Sequence, residues 1–536
     1  MKIIAHIIIL VSLVVFASCG DKDLLELDKV NGAKNMTPSY SVPVAYGSYT
    51  AWDLVKQADS DLLSYDDNTQ LISINYRNDD IYRLNANDVL DIPENIVNLT
   101  IAVETPSNPL LSSVEISLPE DVKVENVKEV AIDFDYGELK KLSGSLQLNY
   151  ACPALPFNYT FRVSIPALKY IADGTPVEIF QEISKGQQNK GTIDLENIVF
   201  DMSAKPNTFN YEFEFVIPKG QNVDVNNVFD KTFYFDLDFE NFVYEEIEGV
   251  VRLQQPISIS PDEFDMDVDF WQYFQGSFAF ADPKLRLVVE NYGMALPVDI
   301  DMKLTAYGDG KSMQLYPKND FILSFNGWDG GDEPTVETGE YNVGNSNINA
   351  LLSLPPKDKI EYSGSIYVNP EANDVRMISD AFINLGLEID IPLKLSLCGV
   401  SFSDTTDNVD INADDLDKIE EASITVKAEN GLPIELSSGY IYMLDANDVA
   451  IDSIVVDKFV DAPDVDANGE VVTPQESEHK ITLTTRNIDH LSATKKLVIS
   501  VSAYTSDKGE TTVNFNADAV IKFALQLDVQ LNLDDF

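Results

Sequence analysis

The chain has 536 residues, with 89 Asp and Glu against 37 Lys and Arg, and a formal net charge of −52. Such a surplus of carboxylate repels nucleic acid and anionic lipid headgroups, which excludes phosphate-tracking roles. Hydrophobic residues at 44% and aromatics at 10% are too abundant for a disordered acidic tail, so the chain folds, and its length fits about three or four domains of ~100–200 residues.

At the N-terminus, Lys2 precedes an almost wholly apolar stretch, Ile3–Phe16, followed by Ala17, Ser18 and Cys19. A bilayer-spanning helix needs about 20 residues, so this run is too short; it has the flanks of a secretory signal with a small-residue cleavage site. Phe16-Ala-Ser-Cys19 resembles the lipobox of bacterial lipoproteins. That resemblance implies removal of residues 1–18, lipidation of Cys19, and a chain attached to a membrane through its N-terminal lipid. Residues 19–39, with Asp21-Lys-Asp23, read as an acidic tether.

From Tyr40 onward apolar and polar residues alternate, the pattern of a strand with one face on a core and the other in water. A first β region, 40–230, holds a helix-period segment at Ala51–Ala58 and the run Tyr211-Glu-Phe-Glu-Phe215. A second, 231–397, opens on Phe233-Tyr-Phe-Asp-Leu-Asp-Phe239 and ends on Leu385–Leu397, where every second residue is Leu or Ile. A third, 398–536, carries a short helix-like stretch at Ala413–Glu421 and closes on Phe523, Leu525, Leu527, Val529, Leu531 and Leu533. Turn sequences such as Tyr307-Gly-Asp-Gly-Lys311 and Ser506-Asp-Lys-Gly509 separate the strands. Successive strands without long helices predict an all-β protein of tandem antiparallel β-sandwich-like modules.

One pattern recurs. Leu287-Val-Val-Glu-Asn291, then four residues, then Leu296-Pro-Val-Asp-Ile300 matches Ile424–Asn430, then Gly431, then Leu432-Pro-Ile-Glu-Leu436. A fainter copy is Leu146–Tyr150 followed by Ala154-Leu-Pro-Phe157. Asn tolerates left-handed backbone and Pro ends ladder donation, so the motif predicts one edge crossover per module. The unit resembles the β-sandwich of late-embryogenesis-abundant type 14 (water-stress) domains. The layout as a whole is similar to a large family of uncharacterised Bacteroidota outer-membrane lipoproteins. That likeness implies an outer-membrane location, facing the surface or the periplasm. Asp404-Thr-Thr406 and Asp452-Ser-Ile454 resemble that phylum's O-glycosylation pattern.

Candidate sites are few. Asp464-Val-Asp-Ala-Asn-Gly469 begins like a calcium loop, with Asp464, Asp466 and Asn468 as oxygen ligands, but Gln475 stands where a bidentate Glu belongs. An acidic hairpin is the alternative, and Ca²⁺ is the one cofactor the pattern allows for. Phe270-Trp-Gln-Tyr-Phe274 is the densest aromatic patch, so Trp271 and Tyr273 are candidate sugar contacts, with core packing as the alternative. Trp328, in Asn326-Gly-Trp-Asp-Gly-Gly331, is expected as an exposed ligand platform unless it packs over its own module. Cys152 and Cys398 are expected as two small buried thiols, with a disulfide left open. Only two histidines follow the signal, His479 and His490, and no Gly-x-Ser-x-Gly elbow occurs. The expectation is a non-enzymatic binding or structural protein with a glycan or protein partner. Alternatives are a lipid-binding groove on strands such as Leu385–Leu397, or a fimbrial component.

Overall fold

The computed structural model describes residues 39–56, 62–90, 92, 97–107, 115–264, 275–354, 358–407 and 419–531. Cys19, the tether before Ser39, Trp271 and Tyr273 lie outside the described residues. The described chain is overwhelmingly antiparallel β, as the alternation predicts. In Asp374–Pro392 the expected face is the buried one: Leu385, Leu387 and Ile391 are fully covered and Ile389 nearly so. Ala51–Val55 and Ile348–Ser353 form short helices. The segment expected as helical at Ala413–Glu421 instead enters the strand Ile419–Asn430 where it is described.

Three two-layered modules result, and they are nested. The inner module comprises residues 97–251. One layer is Val97–Glu104, Thr232–Val251, Gly137–Cys152 and Asn189–Asp201, in that order. The other is Val122–Ala131, Thr208–Ile217, Tyr159–Tyr170 and Pro176–Ile183. They join at a corner where Ile198–Phe200 meets Leu168–Tyr170. Aromatic rings fill the space between, with Phe161 and Phe235 stacked at 3.9 Å.

The middle module is built on Asp374–Pro392, flanked by Ile72–Asn85 and Lys284–Met294. Its opposite layer is Ile257–Phe264, Lys359–Val368, Val298–Gly308 and Lys311–Gln314. Glu246–Val250 pairs with Asp374–Ile378, so one sheet runs without a break from the inner module into the middle one.

The outer module has one sheet of Ser39–Thr50, Val520–Leu531, Ile419–Asn430 and Gln475–Leu483. Its second sheet is Gln275–Phe280, Lys394–Asp407, Lys496–Thr505, Ile434–Leu444 and Ala450–Val460.

This arrangement departs from the linear division at 40, 231 and 398. Ser39–Thr50 pairs with Val520–Leu531, at the other end of the chain. Thr232–Val251 belongs with the strands before it, and the apolar run Leu385–Leu397 is shared by two modules, changing sheet at Leu393. The physical reason is that alternation marks which face of a strand is buried but not which strand it pairs with. At the change of sheet the backbone knits both modules: Leu393 N donates to Ile72 O at 2.7 Å, and Phe515 N to Leu393 O at 3.0 Å.

The repeated motif is real in two copies, for a reason other than left-handed backbone. Asn291 and Asn430 are almost fully buried, and their side-chain amides bond the crossover that follows. In the fainter copy Asn149 is half-buried and bonds Glu240 and Thr192 across the sheet instead.

Candidate binding face

The two outward faces of the outer module differ in charge. On the sheet that includes Ser39–Thr50, outward positions carry Lys427, Glu429, Glu478 and Lys522, joined by pairs such as Lys522–Glu429 at 3.0 Å. The inner module is similar: Asp236, Asp238 and Glu240 stand in file along one strand. There burial, then the flanking carboxylates, raise the Asp238 carboxyl above its usual value.

The other sheet of the outer module turns a different surface outward. Its buried register is Ala503, Val501, Ile499 and Leu497, against Ile441 and Met443. Period-two geometry then sets the alternate residues on the outside. They form three rows across the strands: Ser401–Ser502–Ser437, in which Ser437 is itself buried, then Ser403–Ser500–Tyr440–Val455, and Thr405–Val498–Tyr442–Ser453. The second and third rows carry no charged side chain, whereas the first continues from Ser437 to Lys458. Charge resumes at their margins, at Lys496, at the exposed Asp457 two residues beyond Val455, and at Lys458, whose ammonium lies 2.8 Å from Glu435 and 2.7 Å from Asp461.

A β-bulge sets this register. Ser438, at φ 53°, and Gly439 together stand opposite Val501 alone, so Ser437 stays level with Ser502 and Tyr440 with Ser500, and Tyr440 faces outward. Gly439 is required there, because a Cβ would come within 2.6 Å of Ser500 O. Beyond the bulge Tyr440 and Tyr442 stack with ring centroids 5.6 Å apart and planes 21° from parallel. Tyr440 is 44% exposed and its neighbour Val455 62%. Serine hydroxyls both donate and accept, and tyrosine adds an apolar ring with a polar tip. The sequence reading missed this face, because serines on strands carry no motif.

Trp328 is not the exposed platform expected. It is 9% exposed; its backbone N–H donates to Met294 O at 2.8 Å and its ring leans on Tyr292 at 5.7 Å. Gly327 lies so close to Ala295 and Leu296 that the loop is pressed onto the Leu-Pro crossover, which folds the ring inward. Tyr292 in turn meets Phe382, and Arg83 sits over Phe382 at 3.8 Å.

Asp464, Asp466 and Asn468 lie in a tight hairpin. Asp466 Oδ1 accepts from Asn468 N at 2.8 Å and Glu470 N at 3.0 Å, bonds that hold its carboxyl below the usual range. The acidic-hairpin alternative thus describes the geometry. Among the described residues no group of three or more His, Cys, Asp or Glu side chains is placed to hold a metal ion.

Both histidines face carboxylates: His479 Nε2 is 2.8 Å from Asp461 and His490 Nδ1 3.1 Å from Asp452. Cys152 is buried, which pushes its thiol up to about 12, whereas Cys398 is exposed, contrary to expectation; both thiols are free. The apolar face of Leu385–Leu397, the candidate lipid groove, is buried within the protein's own layers and offers no groove.

No protein-family model matches the chain, and no curated protein matches it. Among solved structures, a protein of Parabacteroides distasonis ATCC 8503 assigned as secreted is similar over 53% of this chain and 86% of its own, at 15% identity and a TM-score of 0.34. The tandem CBM22 domain of Paenibacillus barcinonensis Xyn10C matches 54% of this chain and 86% of its own, at 10% identity and a TM-score of 0.13. The Cowpea mosaic virus top component matches 57% and 91%, at 8% identity and a TM-score of 0.17. Scores this low carry no functional argument.

Proposed function

We propose that this chain is an exported, non-catalytic binding protein, held to an outer membrane by lipid on Cys19 and presenting the serine and tyrosine rows of its outer module to a ligand. The observation that carries the reading is that face: two adjacent rows, each four strands wide, free of charge on a protein of net charge −52. With roughly one residue in six acidic, a bare solvated surface would be expected to carry carboxylates, as the other sheet faces do. The paired carboxylates and imidazoles of the outer module are used in holding strands and the helix Thr485–Leu491 together, which supports binding over catalysis.

The tether is tested by metabolic labelling with a tagged fatty acid. Wild-type chain should take up label and fractionate with the outer membrane, and Cys19→Ala should do neither. Protease treatment of intact cells then distinguishes a surface-facing body from a periplasmic one. A wild-type chain that incorporates no acyl group sinks the lipoprotein part of the proposal.

A further inference from the structure

We infer that the ligand of this face is an uncharged polysaccharide, lying across the strands on Tyr440 and Tyr442 with its hydroxyls on the serine rows; this rests on the reading above that the face is a binding surface.

Three features of the face select that chemistry. First, charge: the two rows that hold the tyrosines carry none, the nearby Lys458 is already paired with Glu435 and Asp461, and the surrounding protein repels polyanions. An uncharged chain meets no long-range penalty, and a basic one would find its carboxylates elsewhere on the surface rather than in these two rows. Second, hydrogen bonding: Ser401, Ser403, Ser500, Ser502, Ser453 and Thr405 present hydroxyls that donate and accept, which suits a ligand whose own groups are hydroxyls. Third, the rings: two stacked tyrosines give apolar surface to the C–H faces of sugars without a deep pocket.

A second copy of the chain is the competing occupant, and the same residues disfavour it. Protein interfaces are enriched in tyrosine but depleted in serine, and they centre on large Trp, Tyr or Arg anchors seated in pockets. Here Tyr440 and Tyr442 lie flat on the sheet with no pocket-filling anchor beside them, and hydroxyl residues make up most of the rows around them. Two copies would also bring together bodies of −52 each.

The test is affinity electrophoresis of the purified full chain through gels containing neutral polysaccharides (glucans, mannan, xylan) or acidic ones (pectin, alginate). Retardation by at least one neutral polymer is expected, and Tyr440→Ala with Tyr442→Ala should weaken it by about tenfold or more. Ser500→Glu, which plants a carboxylate in the central row, should do the same, and Lys427→Gln on the opposite sheet should change nothing. Circular dichroism and melting temperature confirm that each variant is folded, and Ser500→Glu stands alone if the double variant is not. No retardation by any neutral polymer overturns the inference, as does retardation by acidic polymers only or retardation indifferent to both sets of variants. Concentration-dependent dimers abolished by the same variants overturn it in favour of a second copy. Because the assay contains no membrane, its failure leaves the tether standing, and a failed tether leaves the assay valid.

Discussion

Asn430 and Asn291 hold the same station in two modules but make unequal sets of bonds. Asn430 donates to Ile434 O at 2.8 Å and Asp461 O at 2.9 Å, and its Oδ1 accepts from Leu432 N at 2.9 Å. Asn291 donates to Met294 O at 3.0 Å, and its Oδ1 has no partner. The cause is spacing: Tyr292–Ala295 stand where the outer module has Gly431 alone. Asn430→Leu would take this bond from two buried backbone groups, Leu432 N and Ile434 O, and from the part-buried Asp461 O. Asn291→Leu would strand none, since Met294 O also accepts from Trp328 N. Asn430→Leu should therefore cost roughly 3 kcal/mol or more and Asn291→Leu about 1 kcal/mol or less. Hydrogen exchange resolved by module checks the order, and equal effects would contradict it.

Phe235→Ala should open a cavity opposite Phe161 and cost about 3–5 kcal/mol in the inner module. Both rings are fully buried. Phe180→Ala, at a position 51% exposed, should change stability by less than ~0.5 kcal/mol. Thermal melts of the two variants separate the cases.

Gly439→Ala should distort the bulge that sets the tyrosine register, because the new methyl meets the Ser500 carbonyl. A loss of about 1–3 kcal/mol is expected, together with weaker polysaccharide retention. Unchanged retention would mean that the register of Tyr440 and Tyr442 does not matter to binding.

Acid should loosen the outer module through Asp452. Burial by itself would raise this carboxyl, but the Ser453 backbone N–H, His490, Arg486 and Asn487 outweigh it and bring the value below the ordinary 3.8. A lowered folded value means that the carboxylate's stabilisation is fully present above about pH 4 and is lost as pH falls through the lowered value. Asp452→Asn should flatten that part of the stability–pH curve. An unaltered acid limb in denaturation from pH 5 to 2 would show that other carboxylates set it.

The sequence made the strands legible because each has one wet and one dry face, as Leu385, Leu387, Ile389 and Ile391 show. It did not reveal the nesting, because the partner of Ser39–Thr50 is chosen by complementarity of whole faces across nearly the full chain. Trp328 misled because a glycine-rich turn says where the backbone bends, and here the close approach of Gly327 to Leu296 decides where the ring goes. The serine and tyrosine face went unread because it exists only once Lys394–Asp407, Lys496–Thr505 and the hairpin of Ile434–Leu444 with Ala450–Val460 are aligned in register.

That nesting fixes an order of assembly. All residues of the inner module are synthesised before the middle module has its long strand Asp374–Pro392, and the middle module has its strands before Val520–Leu531 emerges. Closing a loop of several hundred flexible residues is slow, because the entropy of closure falls on the transition state. Each folded module shortens the loop still to be closed, so Ser39–Thr50 waits beside its site rather than searching for it. A lesion in the inner module should then leave its mark at the other end of the molecule, as an outer sheet whose first strand docks late.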